Sequence, residues 1–332
     1  MRMAPQEPLD DWVRALGLPR PFYSTGAGSA FLGDSRDLLG CLPSESVDLI
    51  VTSPPFALRR KKEYGNVPAE EYVAWFRPFA EEFKRILKEK GSLVVDIGGS
   101  WNPGEPTRSL YQYELLIELS RMGFKLCQDF FWFNPSRLPS PAEWVNVRRV
   151  RVKDAVDPVW WMSKSAHPKA NNRKVLEKYS DSMVQLIRNG YKAKLRPSGW
   201  DISEKFRKDN GGAIPPNLIE IANTESNSWY LRACAREGVK PHPARFPAKL
   251  PRFFIEFLTD PGDIVLDPYA GSNVTGEAAE ASHRKWLAFE MREDYLLGSR
   301  FRFERPGIEA SVPPEKRQLK LGQTTLRSPV RR

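Results

Sequence analysis

Cysteine and histidine are scarce in this 332-residue chain, with three of each. Cys41, Cys127 and Cys234 lie far apart and are odd in number, which excludes a disulfide framework or a cysteine zinc site and fits a reducing cytosol. His167, His242 and His283 share no ligand spacing, so no metal is expected. No apolar run approaches the roughly 20 residues of a membrane span, and the opening Met-Arg-Met-Ala-Pro-Gln-Glu-Pro lacks the apolar core of a signal peptide. A cytoplasmic protein is expected, with no membrane partner. G-x-G-x-x-G is also missing, which argues against an NAD-type site.

Acidic residues are in deficit too: 41 Asp and Glu stand against 51 Lys and Arg, a net charge of +10. The excess is regional. Residues 141–212 carry 16 Lys/Arg against 8 Asp/Glu, and residues 303–332 carry 7 against 3. A basic stripe of this kind points to a polyanion such as DNA.

The most informative stretch present is Val47-Asp48-Leu49-Ile50-Val51-Thr52, a run suited to a parallel strand buried on both faces, followed by Ser53-Pro54-Pro55-Phe56. Pro54 and Pro55 end the ladder and leave an acceptor-rich loop beside an aromatic ring. The Ser53 side chain and the Pro54 carbonyl could hold the hydrogens of a nucleobase amino group and push its lone pair outward. Phe56 could stack on the extruded base. The amine could then attack a methyl sulfonium in line.

Other strand ends carry acids. Phe31-Leu32-Gly33-Asp34-Ser35 reads as a strand running into a helical turn, with Asp34 placed either to accept from an adenine amino group or a sugar or to cap the helix, and Ser35 beside it. Ser92 to Gly99 reads as a central strand bearing Asp96, placed either to polarise Ser53 or relay a proton, or to cap the glycine turn. Ile264-Val265-Leu266-Asp267-Pro268-Tyr269-Ala270-Gly271-Ser272-Asn273, then a helix from about Thr275, gives the geometry of a nucleotide-type cofactor cradle. Lys285 to Glu290 follows as a strand whose terminal carboxylate suits ribose hydroxyls.

Between these landmarks, Asp10 to Leu16 reads as a short helix and Phe22 to Ala30 as loop. Pro68 opens a helix kinked at Pro78 and closed by Gly91. Leu110 to Arg121 and Pro247 to Leu258 are further helices, and Lys125 to Trp132 and Val156 to Met162 are strands. Asn134 to Pro141 is a proline-rich loop. From Lys169 to Gly212 the pattern dissolves into basic and polar residues. DNA contacts are expected from Arg59, Arg60, Lys61 and Lys62, and from Arg173, Lys174, Lys192, Lys194, Arg196, Lys205, Arg207 and Lys208.

Ser53-Pro54-Pro55-Phe56 and the Asp267 to Asn273 loop resemble the two signatures of the amino-methylating DNA methyltransferases. Their order, catalytic loop before cofactor loop with the basic region between, is similar to the circularly permuted β-group. The resemblance implies a doubly wound, mostly parallel α/β sheet, S-adenosylmethionine as cofactor, and Asp34, Ser35, Asp267, Tyr269, Gly271, Ser272, Asn273 and Glu290 around it. Ser53, Pro54, Pro55, Phe56 and Asp96 would be catalytic. It further implies transfer to cytosine N4 in double-stranded DNA, with CAGCTG as the target, by a monomeric modification enzyme whose restriction endonuclease is a genetic partner only. Adenine N6 methylation and a catalytically silent DNA-binding protein of the same fold are the alternatives. The implied organisation is a catalytic half over 1–168, a target-recognition region over 169–212, a cofactor half over 213–303 and a basic disordered tail over 304–332. Leu126-Cys127-Gln128 resembles half of the Pro-Cys-Gln signature of cytosine-C5 enzymes, but it lacks the proline and sits within a strand.

Overall fold

A computed structural model describes residues 11–57, 66–190, 208–224 and 228–304. Among the described residues, one sheet of nine strands organises the molecule. In chain order these are β1 (Tyr23–Ser24), β2 (Gly28–Leu32), β3 (Val47–Thr52), β4 (Leu87–Asp96), β5 (Lys125–Phe133), β6 (Val156–Ser163), β7 (Leu218–Glu220), β8 (Ile264–Asp267) and β9 (Lys285–Glu290). Their spatial order is β1-β2-β9-β8-β3-β4-β6-β5-β7. Pairing is parallel from β2 through β9, β8 and β3 to β4 and again between β5 and β7, and antiparallel at β1–β2, β4–β6 and β5–β6. The mostly parallel, doubly wound sheet expected from the sequence is therefore present.

The apolar run of β3 is buried on both sides, as its composition demands. Val47 and Ile50 pack with Tyr72, Phe76 and Phe83 of α3 (Tyr72–Ile86), whereas Leu49 and Val51 pack with Leu250, Phe254 and Leu258 of α7 (Lys249–Leu258). From Leu49 to Val51 the sides alternate with the period of two along a strand, and Val47 joins the Ile50 side because the register shifts between Val47 and Leu49. The chain leaves β3 towards β4, while β8 leads outward to β9 on the other side. The carboxyl ends of β3 and β8 thus meet at the switch point where such sheets bind ligands.

Several local expectations are corrected. Phe22 to Ala30 contains the β1–β2 hairpin, in which Gly28 lets the backbone approach Trp286 so closely that an added Cβ would lie 2.3 Å from its side chain. The helix expected from Pro68 begins at Tyr72 and runs through Pro78. It ends at Ile86, not at Gly91, because Leu87 is buried and pairs with Val47, which starts β4 early. Within 169–212, α5 (Asp181–Asn189) is capped by Ser180, which accepts from the Met183 amide at 3.3 Å. The tail from residue 305 and the cations Arg59, Arg60, Lys61, Lys62, Lys192, Lys194, Arg196, Lys205 and Arg207 lie outside the described residues.

Candidate active site

The loops after β2, β3, β4, β8 and β9 open onto one cavity of about 710 Å³. Its wall includes Ser53, Pro54, Pro55, Phe56 and Asp96 on one side and Asp34, Ser35, Tyr269, Gly271, Ser272 and Glu290 on the other. Residues separated by more than two hundred positions in sequence therefore share a single chamber.

On the β3 side the loop is held by its carbonyls. Tyr72 donates to the Pro55 carbonyl at 2.8 Å, and the Asn66 amide donates to the Phe56 carbonyl at 2.6 Å. Gly98 leaves room for the Phe56 ring, since a Cβ there would sit 2.5 Å from it. Asp96 is only 5% exposed. Burial first, then the negative charge of Asp157, push its carboxyl up to about 8, while a hydrogen bond from Ser53 and the charge of Arg137 pull it back. One of its oxygens, Oδ1, has no hydrogen-bond partner among the described residues.

Arg137 and Asp157 were not anticipated as site residues. Asp157 precedes the β6 residue Val159, which pairs antiparallel with Asp96, so that pairing carries the second carboxylate to the first. Arg137 grips Asp157 with both terminal nitrogens, Nη1 to Oδ1 at 2.8 Å and Nη2 to Oδ2. Nearby, Asn134 Oδ1 accepts from the amides of Ser136 and Asn223, each at 3.2 Å, tying the β5 loop to the strand after β7.

On the β8 side the buried acid is fully bonded, while the Tyr269 hydroxyl has no partner among the described residues. Asp267 is buried, and it accepts from Thr52 at 2.8 Å, Thr275 at 2.6 Å and the Tyr269 amide at 3.1 Å. Burial still raises its carboxyl to about 6. It binds β8 to β3 and shapes the loop that follows. Tyr269 packs against Trp75 and Phe79 of α3 at ring separations of 6.0 and 5.3 Å. Asn273 is left-handed, at φ 55° and ψ 45°, as its type permits. It caps α8 (Val274–Ala281) by accepting from Gly276 at 3.0 Å and donates to the Tyr23 hydroxyl at 2.9 Å.

Glu290 accepts from the Gly271 amide at 2.9 Å and from the Arg292 amide at 2.9 Å, one through each oxygen. Burial raises its carboxyl to about 7. Glu290 lines the cavity as a carboxyl group fixed by backbone amides, which suits a pair of sugar hydroxyls. Asp34 caps α2 (Ser35–Cys41), accepting from the Arg36 amide at 2.9 Å, and pairs with the Arg36 guanidinium at 2.7 Å. Ser35 donates to the Pro268 carbonyl, which fastens the β2 and β8 loops together. Two further supports carried no local signal in sequence. Arg302 donates to the Ser272 carbonyl at 2.6 Å and pairs with Glu277 at 2.7 Å, and His242, held neutral by burial at about 4, lies against Gly271.

Of the described basic residues expected to meet DNA, Arg173, Lys174 and Lys208 are exposed. Lys174 also donates to the Thr259 carbonyl at 2.8 Å and pairs with Asp260, bracing the end of α7. Among the described residues no His/Cys/Asp/Glu group has the form of a metal site, and no helix is long and apolar enough to cross a membrane.

A switch-point cavity that joins an acceptor-rich strand-end loop to a glycine-bearing cofactor cradle defines a Rossmann-type methyltransferase, with S-adenosylmethionine as methyl donor. Residues 47–299 match the family model described as DNA methylase, of the N6/N4 methyltransferases, and the chain belongs to that family. It is 55% identical to the type II methyltransferase M.PvuII of Proteus hauseri over 301 residues, covering 90% of this chain and 88% of that one. It is 24% identical to M.BglII of Bacillus subtilis over 84% of this chain and 69% of that protein. The solved PvuII DNA methyltransferase (cytosine-N4-specific) superposes with a TM-score of 0.71 at 48% identity, covering 87% of this chain and 90% of that one.

Proposed function

We propose that this chain transfers a methyl group from S-adenosylmethionine to N4 of a cytosine extruded from double-stranded DNA, within CAGCTG, as the modification enzyme of a type II restriction-modification system. The observation that carries this reading is the placement of Ser53-Pro54-Pro55-Phe56, with Ser53 bonded to Asp96, in the same cavity as Glu290. The 55% identity to M.PvuII supports the cytosine-N4 assignment and the target.

The bound cofactor supplies an electrophilic methyl on a sulfonium. Glu290 holds the ribose hydroxyls, and Asp34 with Ser35 borders the adenine end. Ser53 Oγ and the Pro54 carbonyl accept the two N4 hydrogens, so the nitrogen lone pair turns away from the ring and towards the methyl. Phe56, seated over Gly98, stacks on the base. As the nitrogen–carbon bond forms, the carbon–sulfur bond breaks with its electrons left on sulfur, and one N4 proton must leave. Burial pushes the Asp96 carboxyl up to about 8, which favours its protonated form. It ionises more readily when a cation shares its cavity, which ties its capacity to take that proton to the loaded enzyme.

Mass spectrometry of nucleosides from DNA modified in vitro tests the chemistry. N4-methylcytosine is expected, together with resistance of the plasmid to PvuII endonuclease. N6-methyladenine alone would replace cytosine with adenine as the substrate, and no methylated nucleoside would point to a silent DNA-binding protein.

A further inference from the structure

The 135–153 loop between β5 and β6 is unusual in what it exposes. Val152 at 85% and Leu138 at 80% are the two most exposed large apolar side chains among the described residues, and Val147 at 70% is the third. Solvent exposure of this kind in one short loop marks an interaction surface. Of its five Lys/Arg, Arg137, Arg148 and Arg151 pair with Asp157, Glu143 and Asp154, which leaves the charges of Arg149 and Lys153 to favour an anionic partner.

The loop is folded and is anchored to the active site. Lys153 Nζ donates to the carbonyls of Pro135 and Arg137 at 3.2 and 3.3 Å, which closes the neck of the loop and brings Leu138 and Val152 to the same end. Arg137 itself lines the catalytic cavity. Further out, the amides of Val150 and Arg151 donate to the Trp144 carbonyl at 2.9 and 3.2 Å, and Arg148 is ordered by Glu143 at 2.8 Å and by the Trp144 ring at 5.2 Å. Arg149 is exposed at φ 56°, a strained position for arginine that holds it at the turn.

We propose that this loop is the DNA-distorting element: Leu138 and Val152 enter the base stack beside the extruded nucleotide, and Arg149 holds a flanking phosphate. The inference rests on the DNA methylase reading above. A nucleotide leaving the duplex opens a step that apolar wedges fill, offsetting lost stacking, and a wedge must sit at the mouth of the pocket that receives the base. Leu138 follows the cavity-lining Arg137 in sequence, and Val152 precedes Lys153, which bonds the Arg137 carbonyl, so both are tethered beside that pocket. A protein partner would account for the apolar side chains, but would leave the exposed Arg149 without a counter-charge.

The test uses the full chain with bound cofactor and a duplex carrying 2-aminopurine at the target position. Leu138→Ser/Val152→Ser should lower the fluorescence increase on binding at least fivefold, with melting temperature and S-adenosylmethionine affinity at wild-type values, as both side chains are exposed. Arg149→Gln should weaken DNA binding at least threefold and reduce the slope of log affinity against log salt by about one. Full brightening in the double variant would overturn the wedge. So would a wild-type dimer, seen by sedimentation, that becomes monomeric in the double variant while brightening persists, because the apolar face would then be a contact between copies. No brightening and no methylation in the wild type would fail the functional reading instead.

Discussion

Asp267 and Asp96 both end parallel strands and are buried with raised carboxyl pKa values, but Asp96 lines the cavity whereas Asp267 lies behind it. Their surroundings differ. Asp267 accepts from two hydroxyls and an amide, all fixed, and it organises the loop that leads to Asn273. Asp96 accepts from Ser53, faces a second carboxylate across the β4–β6 pairing, and keeps one oxygen unpartnered. A buried acid that is fully bonded holds a fold together, whereas one left short of partners is held ready for a ligand or a proton. On the proposed reading, the acid behind the cofactor side is fixed in advance, and the acid on the base side is left short of a partner for its substrate.

Exchanging the two acids for neutral groups separates these roles. Asp96→Asn is expected to slow methyl transfer by about 10²–10⁴-fold, the range for losing a positioned proton acceptor, as read by single-turnover kinetics. Its folding should not suffer. With a folded pKa raised to about 8, Asp96 stays protonated where the unfolded chain has already ionised, so wild-type stability falls as pH rises from about 4 to 8 and levels above it. The asparagine variant should show a shallower fall in denaturant titrations across that window. Asp267→Ala should behave oppositely and cost about 2–4 kcal/mol of stability, because Thr52 and Thr275 lose their buried acceptor. An Asp267 variant with wild-type stability would erase the contrast.

Smaller effects probe the cofactor side. Glu290→Ala should weaken S-adenosylmethionine binding by roughly 1.5–3 kcal/mol, the scale for hydrogen bonds to a charged group, and calorimetry reads this directly. Asn273→Gly relieves a left-handed backbone but removes the α8 cap and the bond to Tyr23. These oppose one another, so a net loss of about 1 kcal/mol or less is expected in thermal unfolding.

The cofactor cradle and the strand-end loop were legible because each is local: an apolar run, its terminal residue and the turn that follows are contiguous in sequence. Ser53 to Phe56, Asp267 to Asn273 and Glu290 could be read from spacing and from family resemblance. Arg137, Asp157 and Arg302 could not, since each acts on a residue brought to it by sheet pairing or by the return of the chain after β9. Lys174 is a milder case. A lysine in a basic stretch has the same local appearance whether or not it also pairs with an aspartate beyond the end of a distant helix. The β1–β2 hairpin was hidden for a related reason, because its small residues resemble a loop until Trp286 is seen packed on Gly28.

The central claim is that Ser53 and the Pro54 carbonyl hold the amino group that is methylated. Single-turnover methyl transfer by Ser53→Ala, with cofactor and DNA bound beforehand, tests it most directly. The account predicts a rate at least about tenfold below wild type, as expected for losing one positioned acceptor at the reacting nitrogen, with both ligands bound as tightly as before. A wild-type rate would contradict it.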